Sequence, residues 1–315
     1  MSSGYYKTKI FSNGKLDAVR SALLPVSPAN GFVVTCGSYA RREASETSDM
    51  DFFTVYDKPE DCPQGGQSSP KVTNVIEKLI GNMPATGGAF ANDISKTDLL
   101  ENYGGSEDTN DTITRRMLFL LEGEFLTSEV HFTDIRDQII NRYVRETPRD
   151  HQLAFYLLND MIRYWRTMTV DYANKTDQYA ENPKPWATRN IKLVFSRKII
   201  YASGLFSVAL TADRQEDKKC DILKRLFSMT PIERIQYVCG NNSSQRLLEI
   251  YDIFLDSISD PNVRAHLDKL DRNLRETDPI FRGLKNEAHY FSRELMGLYH
   301  KTFHTSHPIH MAVIF

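Results

Sequence analysis

Thr35-Cys36-Gly37-Ser38-Tyr39-Ala40-Arg41-Arg42-Glu43-Ala44-Ser45-Glu46-Thr47-Ser48-Asp49-Met50-Asp51-Phe52-Phe53 is the stretch that decides the fold. The residues before Gly37, from Gly31 to Cys36, form a short apolar run bounded by Pro28 and Gly37, which predicts a buried strand. Asp51 to Tyr56 predicts a second strand, and one or two helical turns lie between the two. Gly37 has no side chain, so the backbone there can approach a bound phosphate closely. Amides at the start of a helix favour negative charge, and the Ser38 hydroxyl can donate to a phosphate oxygen. Residues two apart in a strand share a side, so Asp49 and Asp51 are expected to project together toward the Gly-Ser turn. Paired carboxylates suit Mg²⁺, which keeps phosphate oxygens among its ligands.

Outward from this stretch the chain changes character near residue 150. Residues 57–70 are rich in Pro and Gly and predict a loop. Lys71 to Asn82 carries Val72, Val75, Ile76, Leu79 and Ile80 on one helical face. Thr86 to Ile94 reads as a third strand. Asp111 to Gly123 and Ser128 to Val144 have helical spacing, the first with a capping residue at its start and Gly at its end, and Pro148 closes the second. After it come seven helical segments: 151–172, 186–209, 213–229, 231–238, 244–258, 263–274 and 279–302. The expected architecture is α+β, an N-terminal α/β domain over residues 1–147 followed by an all-helical domain over residues 148–315.

The segment resembles the nucleotidyltransferase superfamily of DNA polymerase beta, whose signature is Gly-Ser followed by Asp-x-Asp. Gly37, Ser38, Ala40, Arg41, Glu43, Ser48, Asp49 and Asp51 resemble most the branch that holds the PII-protein uridylyltransferase and the signal-transduction nucleotidyltransferase-like proteins. Leu120-Leu121-Glu122 is similar to that branch's Leu-Leu-Glu helix, and the looser resemblance reaches to roughly residue 145. The resemblance implies a nucleotidyltransferase that moves an NMP from an NTP, such as ATP, to a hydroxyl acceptor and releases pyrophosphate. Gly37 and Ser38 would hold the triphosphate, and Asp49 and Asp51 would hold Mg²⁺ or Mn²⁺. Arg41 is a nucleotide-binding candidate that can instead pair with Glu43 and brace the motif. The superfamily uses a third carboxylate as metal ligand or base. Asp93 is the candidate, and it reads equally as a cap ahead of a helix at Thr97. The branch points to a protein acceptor. A toxin or defence enzyme acting on tRNA or making a nucleotide messenger, and a non-catalytic nucleotide sensor, are the alternatives.

A triphosphate needs positive charge beyond the metals. Arg189 and Lys192, with Ser196, fall at helical spacing and are nucleotide-binding candidates, with a solvated basic face as the other reading. Trp165 and Trp186 read as packing residues. His300, His304, His307 and His310 lack Cys or acidic companions and read as a surface tail. The 315 residues carry 39 Lys and Arg against 41 Asp and Glu, a net charge of −2, which argues against a protein that coats nucleic acid. The four cysteines are scattered without metal or disulfide spacing, and no apolar run is long enough for a membrane span. A cytoplasmic enzyme without a membrane partner is expected.

Overall fold

The computed structural model describes residues 3–63, 68–82, 92–145, 152–179 and 183–314. The chain forms two compact units. One comprises Thr8–Pro148 with Leu223–Thr230, and the other comprises Met1–Lys7, Arg149–Ile222 and Pro231–Phe315.

The first unit is built on a four-stranded mixed sheet in the order β3-β2-β1-β4. β1 (Gly31–Cys36) and β2 (Asp51–Tyr56) have the bounds that the sequence predicts. They pair antiparallel, from Gly31 opposite Tyr56 to Cys36 opposite Asp51. β3 (Ile94–Ser95) runs parallel to β2, and β4 (Glu124–Phe125) runs antiparallel to β1. The predicted third strand thus survives as its last residue and the next one, while residues 83–91 lie outside the described residues. The closing role given to Pro148 also falls outside them.

Among the described residues the helices of this unit are α1 (Ser3–Leu23), whose first residues are grouped with the other unit, α2 (Gly37–Ala40), α3 (Pro70–Ile80), α4 (Lys96–Leu100), α5 (Asn110–Glu122) and α6 (Glu129–Arg145). α3 starts on Pro70, where the missing amide costs nothing, and stops at Gly81 in a left-handed conformation. α5 is capped by Thr109, ahead of Asp111, because the Thr109 hydroxyl accepts the Thr112 amide at 3.3 Å. α1 is not anticipated by the reading above, yet it contributes Leu16, Val19 and Leu23 to the core. These pack in one cluster with Val33, Met50, Phe52 and Ile76. Each such side chain contributes about 1.5–3 kcal/mol by leaving water. The face of β1 and β2 opposite the Asp51 side chain is therefore covered by a helix.

The second unit is helical: α7 (Phe155–Lys175), α8 (Trp186–Lys192), α9 (Lys198–Ala209), α10 (Glu216–Phe227), α11 (Pro231–Cys239), α12 (Asn241–Ser259), α13 (Pro261–Lys269), α14 (Pro279–Thr302) and α15 (Ile309–Ala312). The last residues of α10 are grouped with the first unit. α8 and α9 are one helix interrupted by a π turn over Leu193–Arg197. Asp260 and Asp278 cap α13 and α14, each followed by Pro, the pattern that fixes a helix start. The core is aromatic: Phe195 stacks on Phe254 at 4.6 Å and meets Phe291 at 5.1 Å. The tail expected at the surface has His300 and His304 exposed and is anchored beyond them. Ile309 is fully buried, and the His310 ring stacks on His300 at 5.5 Å. Among the described residues no helix is long and apolar enough to cross a membrane.

Candidate active site

The last pair of the β1–β2 ladder sets the site. Cys36 faces Asp51, and the Thr35 hydroxyl donates to the Asp51 carbonyl at 2.7 Å. The chain then turns at Gly37, whose φ of +77° belongs to the left-handed region. A Cβ placed there would sit 2.9 Å from Asp51 Oδ2. The turn and the acidic strand end thus lie close together, and a side chain at residue 37 would crowd the Asp51 carboxylate. Ser38 follows, half-buried, as the second residue of α2. Gly37→Ala is expected to cost about 1–2 kcal/mol from the left-handed backbone alone and to push Asp51 out of place. Urea unfolding and nucleotidyl transfer measured together check this; a variant unchanged in both would show that the turn is not needed.

Asp49 lies two residues ahead of β2, half-exposed like Asp51, with Met50 fully buried between them. This is the alternation that sends both carboxylates to one side. Tyr39 of α2 locates Asp49. Its phenol is pushed up to about 12, first by burial and then by the nearby Asp49 charge. Tyr39 is therefore neutral at physiological pH, and Asp49 stands beside α2 as Asp51 stands beside Gly37.

The supports of this turn come from distant parts of the unit. Arg41, 6 % exposed, donates through Nε to Glu43 at 2.8 Å and through Nη1 to Glu122 at the end of α5. Arg41 is thus spent on two buried carboxylates, which fits its bracing reading over direct nucleotide contact. Arg42 has a φ of +65°, unusual for a residue with a side chain. Its guanidinium donates to the Ala40 carbonyl at 2.8 Å, closing the end of α2, and pairs with Glu124 of β4 at 2.7 Å. Arg20 of α1 grips the same Glu124 at 2.7 Å. The Ala44 amide donates to the Ser12 hydroxyl of α1 at 3.1 Å. Arg42, Glu122 and Glu124 are supports that sequence reasoning misses, since their partners lie on other elements.

Asp93 is held by β2 and Ser68. Its Oδ1 accepts the Thr54 amide at 2.7 Å and the Ser68 hydroxyl at 2.6 Å, and among the described residues its buried Oδ2 has no hydrogen-bond partner. Thr54 lies three residues past Asp51, a rise of roughly 10 Å along a strand. Among the described residues no three His, Cys, Asp or Glu side chains gather as a metal site. The two carboxylates still fit Mg²⁺, which is commonly held by one or two carboxylates plus substrate phosphates. Burial pushes the Asp93 carboxyl above its ordinary value, against the pull of the Ser68 and Thr54 hydrogen bonds. A raised folded value gives stability that is present at low pH and lost as pH rises through that value. Asp93→Asn has no proton to lose, so its melting temperature is expected to gain on the wild type as pH rises from below the ordinary carboxyl range through the raised one. An equal difference at both ends would contradict the burial account. The same variant separates the two readings of Asp93, since loss of transfer with an intact fold would make it the third carboxylate.

Arg189 and Lys192 belong to the second unit, both half-buried on α8, whereas Gly37, Ser38, Arg41, Asp49 and Asp51 belong to the first. Ser196, expected on their face, is buried because it sits inside the π turn, which shifts the helix phase. Trp165 stacks on Tyr201 at 5.4 Å and Trp186 meets Phe281 edge-on at 4.8 Å, both as packing residues.

No curated protein matches the chain. One family model does, and the span it covers begins in α1 and takes in β1, the Gly-Ser turn, Asp49, Asp51 and Asp93. Residues 16–108 match the nucleotidyltransferase domain.

Proposed function

We propose that this chain is a metal-dependent nucleotidyltransferase that moves an NMP from an NTP to a hydroxyl on a protein and releases pyrophosphate. The observation that carries this reading is the closeness of Gly37 to Asp51, which joins a bare backbone turn to an acidic strand end. In this reading Gly37 leaves room for the phosphates, and the Ser38 hydroxyl donates to one of their oxygens. Asp49 and Asp51 would hold Mg²⁺ or Mn²⁺, which supplies charge neutralisation at the phosphates and makes an acceptor hydroxyl more acidic. The acceptor hydroxyl gives its proton to water as its oxygen bonds to the α-phosphorus, and the bond from that phosphorus to the bridging oxygen breaks, so that this oxygen leaves with pyrophosphate. Arg41, Glu43 and Glu122 act at one remove by holding α2.

The protein acceptor rests on the likeness of Gly37 to Asp51 to the uridylyltransferase branch, and the net charge of −2 gives little attraction for a long RNA. Purified protein incubated with each NTP, labelled at the α-phosphate, and with total cell protein or total RNA tests the reading. Label in the protein fraction that is lost in Asp51→Asn is the expected result. Label in RNA alone would move the acceptor to the tRNA-directed alternative. Nucleotide binding without label in either fraction would favour the sensor.

A further inference from the structure

The second unit holds a cavity of about 480 Å³, within the range of small-molecule sites. Its walls are the end of α7, the first turns of α8, the residues after α13 and the start of α14. Gly37, Ser38, Asp49 and Asp51 do not line it. Arg272, Arg275, Arg282 and Lys285 face Asp177 and Glu276 there, an excess of 4 − 2 = 2 positive charges. Glu276 already pairs with Arg275 at 3.3 Å and with Arg282 at 3.4 Å.

Lys285 donates to the Asn190 side-chain oxygen at 3.0 Å, and Lys198, just behind it, donates to the Ser292 hydroxyl at 2.7 Å. Both acceptors are neutral. Burial pushes both ammonium groups below their ordinary value, and a neighbouring cation adds to it: Arg282 for Lys285, and Lys285 for Lys198. Crowded, partly dehydrated cations with neutral partners are relieved by an anion.

The lining of the cavity also has a fixed aromatic part. The Trp186 indole N–H donates to the Leu270 carbonyl at 2.7 Å, and its ring rests edge-on against Phe281. Arg272 lies 5.7 Å from the Trp186 ring centre and is tied to the Thr176 carbonyl at 2.7 Å. Tyr172 accepts the Asn190 amide at 3.0 Å, which leaves its own O–H to donate.

We infer that this cavity binds a small phosphate-bearing molecule with a planar ring, the chemistry of a free nucleotide, with phosphate on Lys285, Arg282 and Arg272 and the ring by Trp186. This site is separate from the transfer reading and stands or falls without it.

The test uses intrinsic fluorescence. The chain has two tryptophans, and Trp165→Phe leaves Trp186 as the reporter. ATP, adenosine and tripolyphosphate are titrated at low salt without divalent metal. ATP is expected to change Trp186 emission saturably, with the same affinity in Asp49→Asn and Asp51→Asn. Lys285→Gln and the exposed Arg282→Gln are each expected to weaken binding about tenfold or more, while Lys285→Arg retains it. The absence of a saturable change, or a change indifferent to both Gln variants, would overturn the site. Loss of binding in Asp49→Asn would overturn its independence. Tripolyphosphate binding as tightly as ATP would overturn the part given to the ring.

Discussion

Asp51→Asn is expected to fold normally and to lose nucleotidyl transfer by on the order of a thousandfold or more. Asparagine keeps the outline of the side chain and removes its charge. Asp51 is half-exposed, and its carbonyl, which accepts the Thr35 hydroxyl, is untouched by the change. The β1–β2 ladder therefore survives, and urea unfolding should move little. What goes is the negative oxygen beside Gly37, the group proposed to hold the metal. Asp49→Asn should match it, and the double variant should be hardly worse than either, since groups that act as one unit are not additive. Transfer retained in both single variants would sink the site.

Arg41→Met is the largest expected loss of stability, about 3–5 kcal/mol, because it strands two buried carboxylates rather than one. Glu43 is 6 % exposed and Glu122 is 3 % exposed, so water cannot replace the guanidinium. A melting temperature lower by on the order of 10 °C is the readout. Glu122→Gln should cost less, since Arg41 keeps Glu43 and the new amide can still accept. Activity should fall with stability in Arg41→Met, as Glu122 is the tie between α2 and the end of α5. A melting curve like the wild type's would show that the ion trio does not hold the turn.

Local chemistry was enough to read β1 and β2 to the residue: a Val- and Phe-rich run ends at Gly37 on one side, and Asp51 opens the other. The same holds for α14, where Asp278 and Pro279 announce the start. The Gly37–Asp51 meeting was legible because strand alternation and a turn glycine suffice to imply it. Other parts depend on partners far along the chain. Glu122 lies 81 residues from Arg41, and no pattern near either residue links them. β4 is two residues long and exists through its pairing with β1. α1 hides because Gly4, Gly14 and interspersed polar residues dilute its apolar spacing. The bond that Asp93 accepts from the Thr54 amide comes from the register of β3 on β2, which no pattern near Asp93 announces. The cavity beside Trp186 draws on four separate segments, so its cations do not form a run in the sequence.

The π turn between α8 and α9 makes residues 193–197 a place where the helix tolerates a change of chain length. In a regular helix the loss of one residue swings everything beyond it by about 100°. A wide turn holds one residue more than an α turn, so a single deletion within 193–197 would close it to regular geometry. Ile199, Ile200 and Phe206, all buried, would keep their side of the helix. The same deletion made inside α9 would act on the core of the helical unit as several substitutions made at once.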